Sequence, residues 1–581
     1  MTIHLALGLS NFASKTALSA LLLAGVMTGS TIYAQANTEL IEDLTERDYP
    51  LSLSGSYLAA LTANNSRDLG AAALYYDRAL EADPDNVALV ERAFILKLAD
   101  GDIDGSTKFT GSILEQDPQN RFARMALGTI ALKEKSFKKA AKEFSQILEG
   151  PLARLTGALL YAWTLAGDKN YDEALESLDK LEGPEWYETF RLYHAGLIAQ
   201  AGGKTDVAAK HLKAAHQADP NVLRTAEAYA RFQLRNGMEK EGTELVKQLT
   251  NRIINRPSLE ELNSNIAEGK KPKRLVMTTL QGAMEVLFGL GSAIGREGGE
   301  EISYVYLNLA AYLDPENALP RLALSELLEA DMRYQSAIDN YEAISSTSVH
   351  KTNAIIRSAF AYNSIEKLEE ARSIMLDLIN EQPDNLAAIN SYGNILRSHE
   401  LYEEARNVYT RAIKQIDTNP QPQNWGLYYS RGIANERTKR WKEAEADFRQ
   451  ALKLSPDEPQ VLNYLGYSFI DMGLNYDEAI GMIKAAVRLR PNDAFIIDSL
   501  GWAYFKLQDF DNAVLHLERA VELRPQDPIL NDHLGDAYWH VGRKLEAVFQ
   551  WSHARDLDPE PDNLEKIVKK IETGYIEDKD G

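Results

Sequence analysis

Asp498 to Pro528 reads DSLGWAYFKLQDFDNAVLHLERAVELRPQDP, and its reading decides the fold. A Gly at 501 is followed twelve residues later by Ala513 and a further twelve by Pro525. The same three residue types recur in both directions. Gly432, Gly466, Gly501 and Gly535 are spaced 34, 35 and 34 apart. Ala444, Ala479, Ala513 and Ala547 follow them, and Pro456, Pro491, Pro525 and Pro559 close each unit. A fixed period of this length is the mark of stacked two-helix units, each too small to bury its own apolar face.

Each position has a physical reason. The Gly lies on the first helix where the second must pass closely, and the Ala answers it from the second helix. Aromatic positions (Tyr504, Tyr538, Phe448, Trp551) are expected to fill the space in each pair. Pro ends the second helix because it has no N–H for the preceding turn, and a nearby Asp or Asn caps the next helix. The extra residue of the unit after Gly466 falls in the turn MGLNYDEA, where an insertion costs little. This pattern resembles the tetratricopeptide repeat. The reading is therefore an all-α chain, an α-solenoid of about fourteen helix-turn-helix repeats. Upstream the register persists in weaker form, through Gly393, Ala405 and Tyr409, through Gly196, Ala208 and Leu212, and through Gly128, Ala140 and Phe144.

Polar residues with Pro257, Gly269 and Pro272 interrupt the array. They predict an irregular linker over 251–274 between an N-terminal array at 50–250 and a C-terminal array at 275–561, with a capping helix and tail at 562–581. The first 36 residues read as a secretory signal: Lys15, an apolar run from Ala17 to Met27, and Ala34-Gln35-Ala36 as a cleavage pattern. Eleven apolar residues are too few to span a bilayer, which needs about 20. No later run reaches that length, so an exported chain without an integral membrane segment is expected. Cysteine is absent, which excludes disulfides, thiolate metal sites, cysteine nucleophiles and a lipidated N-terminal cysteine. A net charge of −22 disfavours nucleic acid as a partner.

No catalytic constellation, metal site or cofactor motif is expected. Gly289, Gly291 and Gly295 have a dinucleotide-like look, but the spacing is wrong and no strand precedes them. Tight helix packing accounts for them better. His211 and His216 lie five apart, off a common helical face, and His533 and His540 read as packing or groove-lining residues.

In a repeat of this kind the first helices line the groove, and residues three before and one after the Gly point into it. Those positions give Asn390, Asn394, Asn463, Tyr467, Asp498, Trp502, Asp532 and Asp536, with Trp539 adding aromatic area. Asn, Asp and aromatic side chains suit an extended peptide with basic or apolar side chains, rather than an acidic tail. Replacing Asp498 and Asp532 by Lys is expected to weaken binding and leave the melting temperature nearly unchanged.

The stretches LNYLGYSFIDMG (462–473), DSLGWAYFKLQDF (498–510) and LNDHLGDAYWHVGRKLEA (530–547) resemble the C-terminal repeats of exported proteobacterial tetratricopeptide proteins. That resemblance implies a non-catalytic periplasmic scaffold or adaptor whose partners are proteins or extended peptides. Some members bring a carboxyl-terminal processing protease to envelope substrates, which makes an envelope protease a candidate partner. Those adaptors are tethered by a lipidated Cys, and this chain has none. The alternative is a structural subunit of an envelope secretion or outer-membrane assembly complex.

Overall fold

The computed structural model describes residues 52–252, 256–416 and 418–575. The expected signal segment, 1–36, lies outside them. The described residues form thirty α-helices, α1 (Leu53–Asn65) to α30 (Pro561–Thr573), and no strand. In chain order they make fourteen helix pairs, with α13 (Pro257–Ala267) and α30 standing single.

Pair closure follows the small-residue rule read from the period. In α22 (Trp425–Arg437), a Cβ added to Gly432 would lie 2.6 Å from the Phe448 ring on α23 (Trp441–Leu454). Gly501 stands in the same relation to Leu517 at 2.6 Å, and Gly535 to Trp551 at 2.5 Å. Ala444, Ala479, Ala513 and Ala547 are wholly buried, as are Phe448 and Trp551. Tyr504 departs from the expected role: it is only partly buried and stacks on His516 at 5.5 Å.

The punctuation also has the expected form. Asp493 accepts from the amides of Phe495 and Ile496, and Asp527 from those of Ile529 and Leu530, so each carboxylate caps a helix start. Between the helices of a pair the chain turns through one left-handed residue, such as Lys439 or Gln508. The turn after Gly466 has two, Gly473 and Asn475, and these absorb the extra residue of that repeat.

The described residues pack as two compact units, 52–376 and 377–575, with the division inside α19 (Leu368–Glu381). This does not coincide with the linker read from the sequence at 251–274. That stretch holds α13, with Leu259 and Leu262 buried, and lies within the first unit. Residues 270–274 are tied down by their own carbonyls and cations. Arg235 donates to the Pro272 carbonyl at 2.7 Å, and Arg274 donates to that of Gln200 at 3.1 Å.

The first unit folds back on itself. Helices α14 (Thr279–Arg296) and α15 (Glu300–Leu313) lie across the first helices of earlier pairs: α3 (Val87–Asp100), α5 (Arg121–Lys133), α7 (Pro151–Gly167) and α9 (Tyr187–Ala201). Arg92 holds Glu301 with two hydrogen bonds, at 2.8 and 2.7 Å. Asn308 donates to the Ala99 carbonyl at 2.8 Å, and Lys133 caps the end of α15 through the carbonyls of Tyr312 and Leu313. Gly282 lies so close to Trp163 that no side chain fits between them. Glu285, 2% exposed, takes Arg224 as its ion-pair partner and the Tyr193 hydroxyl at 3.0 Å. The surface that the repeat offers as a groove is here filled by the chain's own hairpin.

Two stability tests follow. Gly432→Ala should destabilise the chain by about 1–3 kcal/mol through overpacking against Phe448. Gly426→Ala, on the same helix with nothing within 4 Å, should be neutral or stabilise by about 0.5–1 kcal/mol, read by urea denaturation. Glu285→Ala leaves the Tyr193 hydroxyl without its acceptor and Arg224 with Glu227 alone, at 3.3 Å, so the first unit should lose about 1–3 kcal/mol in the same measurement.

Candidate functional site

In the second unit the first helices of successive pairs are α20 (Leu386–Ser398), α22, α24 (Pro459–Asp471), α26 (Ala494–Lys506) and α28 (Pro528–His540). Their Gly residues face the second helices; Asn463 and Asp498, three before the Gly, reach the next unit, whereas Asn394 and Asp536, one after it, touch the second helix of their own pair. Four of the five helices start on a cap or a Pro that fixes the register, α22 being the exception. Asn385 caps α20 through the Ala388 amide, Pro459 opens α24, and Asp493 and Asp527 cap the next two.

The structure shows what each expected groove residue already touches. The Asn394 side-chain oxygen accepts from the Tyr409 hydroxyl at 2.8 Å. Asn463 donates to the Ser499 hydroxyl at 3.2 Å, while its own oxygen, and that of Asn390, have no protein partner. Tyr467 is partly buried, and burial, with Asp471 and Asp498 nearby, pushes its hydroxyl up to about 12. Asp498 is 7% exposed and paired with His533 Nδ1 at 2.9 Å. Trp502 stacks on His533 at 4.1 Å and on Phe505 at 4.8 Å.

At the end of the groove the acidic residues are engaged by the last helix. Lys570 of α30 donates to both oxygens of Asp532 at 2.9 Å and to Asp536 at 2.8 Å. The other oxygen of Asp536 accepts from Trp551 Nε1 at 2.9 Å, so this carboxylate also anchors the ring that closes its own pair. Trp539 lies beside Trp551 at 5.5 Å and directly beneath Gly574. Asp498 and Asp532 are thus structural ion-pair partners. The expectation that their replacement by Lys leaves the melting temperature unchanged is corrected: the double substitution sets new cations against His533 and Lys570.

His533, Lys570, Phe505, His540 and Tyr575 complete this end of the groove. His540 stacks on Phe510 at 4.5 Å and meets Tyr575 edge-on at 4.7 Å. Phe505 follows the periodic pattern, because it stands four residues after its Gly. Lys570 and Tyr575 carry no such signal, since they lie beyond the last repeat.

The electrostatics of the cluster follow from burial and crowding. Burial is the largest influence on Asp536, pushing it up to about 7, with Asp532 adding to this and Lys570 opposing it. For His533 burial favours the neutral ring, but Asp498, Asp532 and Asp536 outweigh it and raise the pKa. Both folded-state values lie above the unfolded ones, so both groups stabilise most at low pH. The Asp536 contribution fades as pH rises from about 4 through 7, and that of His533 fades above about 6.5.

The remaining candidates fall into structural roles. Gly291 and Gly295 sit where α14 crosses α15, against Tyr306 and Ser303, and the Ser303 hydroxyl donates to the Gly291 carbonyl at 2.8 Å. Among the described residues no group of three or more His, Cys, Asp or Glu is placed to hold a metal ion. Among the same residues no helix is long and apolar enough to cross a membrane.

Fourteen helix pairs in chain order, several of them closed by a Gly on the first helix against the second, define the class: an α-solenoid of tetratricopeptide repeats. A family model described as "Tetratricopeptide repeat" matches residues 33–87, 393–459 and 429–494, and one described as "TPR repeat" matches 501–542. The chain is similar to a TPR repeat-containing protein of Pseudomonas aeruginosa, 27% identical over 192 residues, which is 32% of this chain and 30% of that protein. It is also similar to the human tetratricopeptide repeat protein 13, 26% identical over 196 residues, 33% of this chain and 22% of that protein. The matched stretch thus spans less than a third of each relative's own length. Among solved structures, the Cut9–Hcn1 hetero-tetramer of the APC/C aligns over 91% of this chain and 98% of its own, at 16% identity and a TM-score of 0.37.

A pH test follows from the groove's acidic end. Thermal melting read by tryptophan fluorescence should show the second unit more stable at pH 6 than at pH 8. Asp536→Asn should flatten that dependence.

Proposed function

We propose that this chain is a non-catalytic periplasmic scaffold or adaptor that holds protein or extended-peptide partners in the groove of its second unit. One observation carries the reading: the two units use the same repeat differently. In the first, α14 and α15 fill the surface formed by the first helices. In the second, among the described residues, the corresponding surface from α20 to α26 keeps Asn390, Tyr467 and Trp502 partly accessible. Asn390 and Asn463 each have a side-chain oxygen that is shielded from solvent and without a protein partner, so these amides meet a peptide by turning outward. Side-chain amides in a row suit a peptide backbone, which offers an N–H and a C=O at each residue. Partly buried rings supply anchoring area of the kind that carries most binding energy at interfaces.

Export to the periplasm rests on the N-terminal run from Ala17 to Met27 and the Ala34-Gln35-Ala36 pattern. A carboxyl-terminal processing protease of the envelope is the partner class that the sequence resemblance supports. The chain then acts by bringing that protease and its substrate together, a role that needs no catalytic group of its own.

The test is crosslinking and affinity capture from intact envelopes with the native chain and an Asn390→Ala, Tyr467→Ala variant. The expected outcome is a chain released by osmotic shock that begins at Asn37. It retains a protein whose recovery falls at least tenfold with the variant, at unchanged helicity. Equal recovery by both chains would move the binding surface elsewhere, and no specific capture would end the scaffold reading.

A further inference from the structure

The groove's last segment is occupied by α30, and that helix is held by little. Of its thirteen residues only Ile567 is buried, whereas α26 buries nine of thirteen and α28 eight. Ile571 and Tyr575 add partial apolar contact, on the cluster that includes Phe505 and Trp539. Glu565, Lys566, Lys569 and Glu572 are exposed. A thirteen-residue helix is marginal in isolation, so α30 persists because of where it docks.

What it docks on cannot easily stand empty. Asp536 is 2% exposed and Asp532 lies beside it, and both take their cation from Lys570. Lifting α30 strips two neighbouring carboxylates of the Lys570 ammonium and uncovers the face of Trp539. Buried charge is tolerated when paired and costly when its partner leaves. Simple opening is therefore unfavourable, while exchange of one cationic helix for another keeps the carboxylates paired throughout.

We propose that α30 is a resident occupant of the groove, displaced by a partner's helix of the same chemistry. That helix presents one Lys or Arg to Asp532 and Asp536, with apolar residues three before and one after it, as Ile567 and Ile571 flank Lys570. It carries a Gly or another small residue four positions after the cation, where Gly574 crosses Trp539. The proposal rests on reading this groove as a protein-binding surface, and it makes α30 the element that regulates access to that groove. Acidic helices are refused by the Asp498, Asp532 and Asp536 carboxylates. A partner helix that is already formed gains over α30, since α30 loses its fold on leaving.

The test uses the full chain and a fluorescent peptide of residues 560–576 added in trans. Lys570→Glu in the full chain sets a carboxylate against Asp532 and Asp536 and should release its own α30. Amide exchange over 561–573 should then rise at least tenfold, while amides of 494–540 stay protected. The native-sequence peptide should bind this variant at least tenfold more tightly than it binds the native chain, and a K570E peptide should bind neither. Ile567→Ala, which leaves every charge in place, should move exchange and peptide affinity in the same direction by at least tenfold, a shift worth about 1.4 kcal/mol. It decides the matter if the Lys570→Glu chain loses the protection of 494–540. Unchanged exchange over 561–573 in both variants, equal peptide binding to native and variant chains, or equal binding of the K570E peptide would each overturn the proposal. The titration involves no cellular partner, so its outcome is independent of the envelope capture.

Discussion

In the regular repeats two helices close where one of them gives up its side chain, and the groove of this molecule depends on that contact. Gly432 under Phe448 and Gly535 under Trp551 are the clearest cases. A Gly inside a helix costs about 0.5–1 kcal/mol relative to Ala. Burying the ring that takes its place contributes about 1.5–3 kcal/mol, so the exchange favours the closed pair. Closure then fixes the rotation of the first helix, and rotation decides which residues face the groove. At the last repeat the same contact reaches further, because the Trp551 ring that sits against Gly535 also donates to Asp536.

From this common unit the chain builds two different surfaces. In the first unit the groove side of the repeats is spent on α14 and α15, held by Arg92 with Glu301, Lys133 with the end of α15, and Glu285 with Arg224 and Tyr193. In the second unit, among the described residues, the end alone is covered, and by a helix that buries one residue. Stacked repeats contact mainly their neighbours, so a groove can be filled or left open locally without disturbing closure elsewhere. That independence lets one array serve as its own core while the other keeps a polar and aromatic face.

Cations do specific structural work in a chain of net charge −22. Arg224, Arg231, Lys133 and Lys570 each reach across from one helix to a carboxylate or a helix end on another. Few of these pairs lie fully in solvent, where an ion pair is worth little. The buried ones matter chiefly because breaking them leaves a charge stranded. The same reasoning explains why the acidic end of the groove, where burial raises Asp536, is sealed by the chain's own lysine.

The sequence by itself determined the repeat. Gly, Ala and Pro at 34-residue spacing specify pair closure and helix ends, because those relations are local and recur. It also located the insertion after Gly466 and the packing role of Gly291 and Gly295. Only the tertiary structure decided what lies on the repeats. The contact of Arg92 with Glu301 joins residues 209 apart, and that of Lys570 with Asp532 joins a helix beyond the last period to a groove position within it. Neither pairing leaves a periodic trace, since each occurs once. For the same reason 251–274 reads as a linker, although α13 and the Pro272 carbonyl are bound into the first unit. Repetition makes local geometry legible in sequence, and a single long-range contact has nothing to repeat.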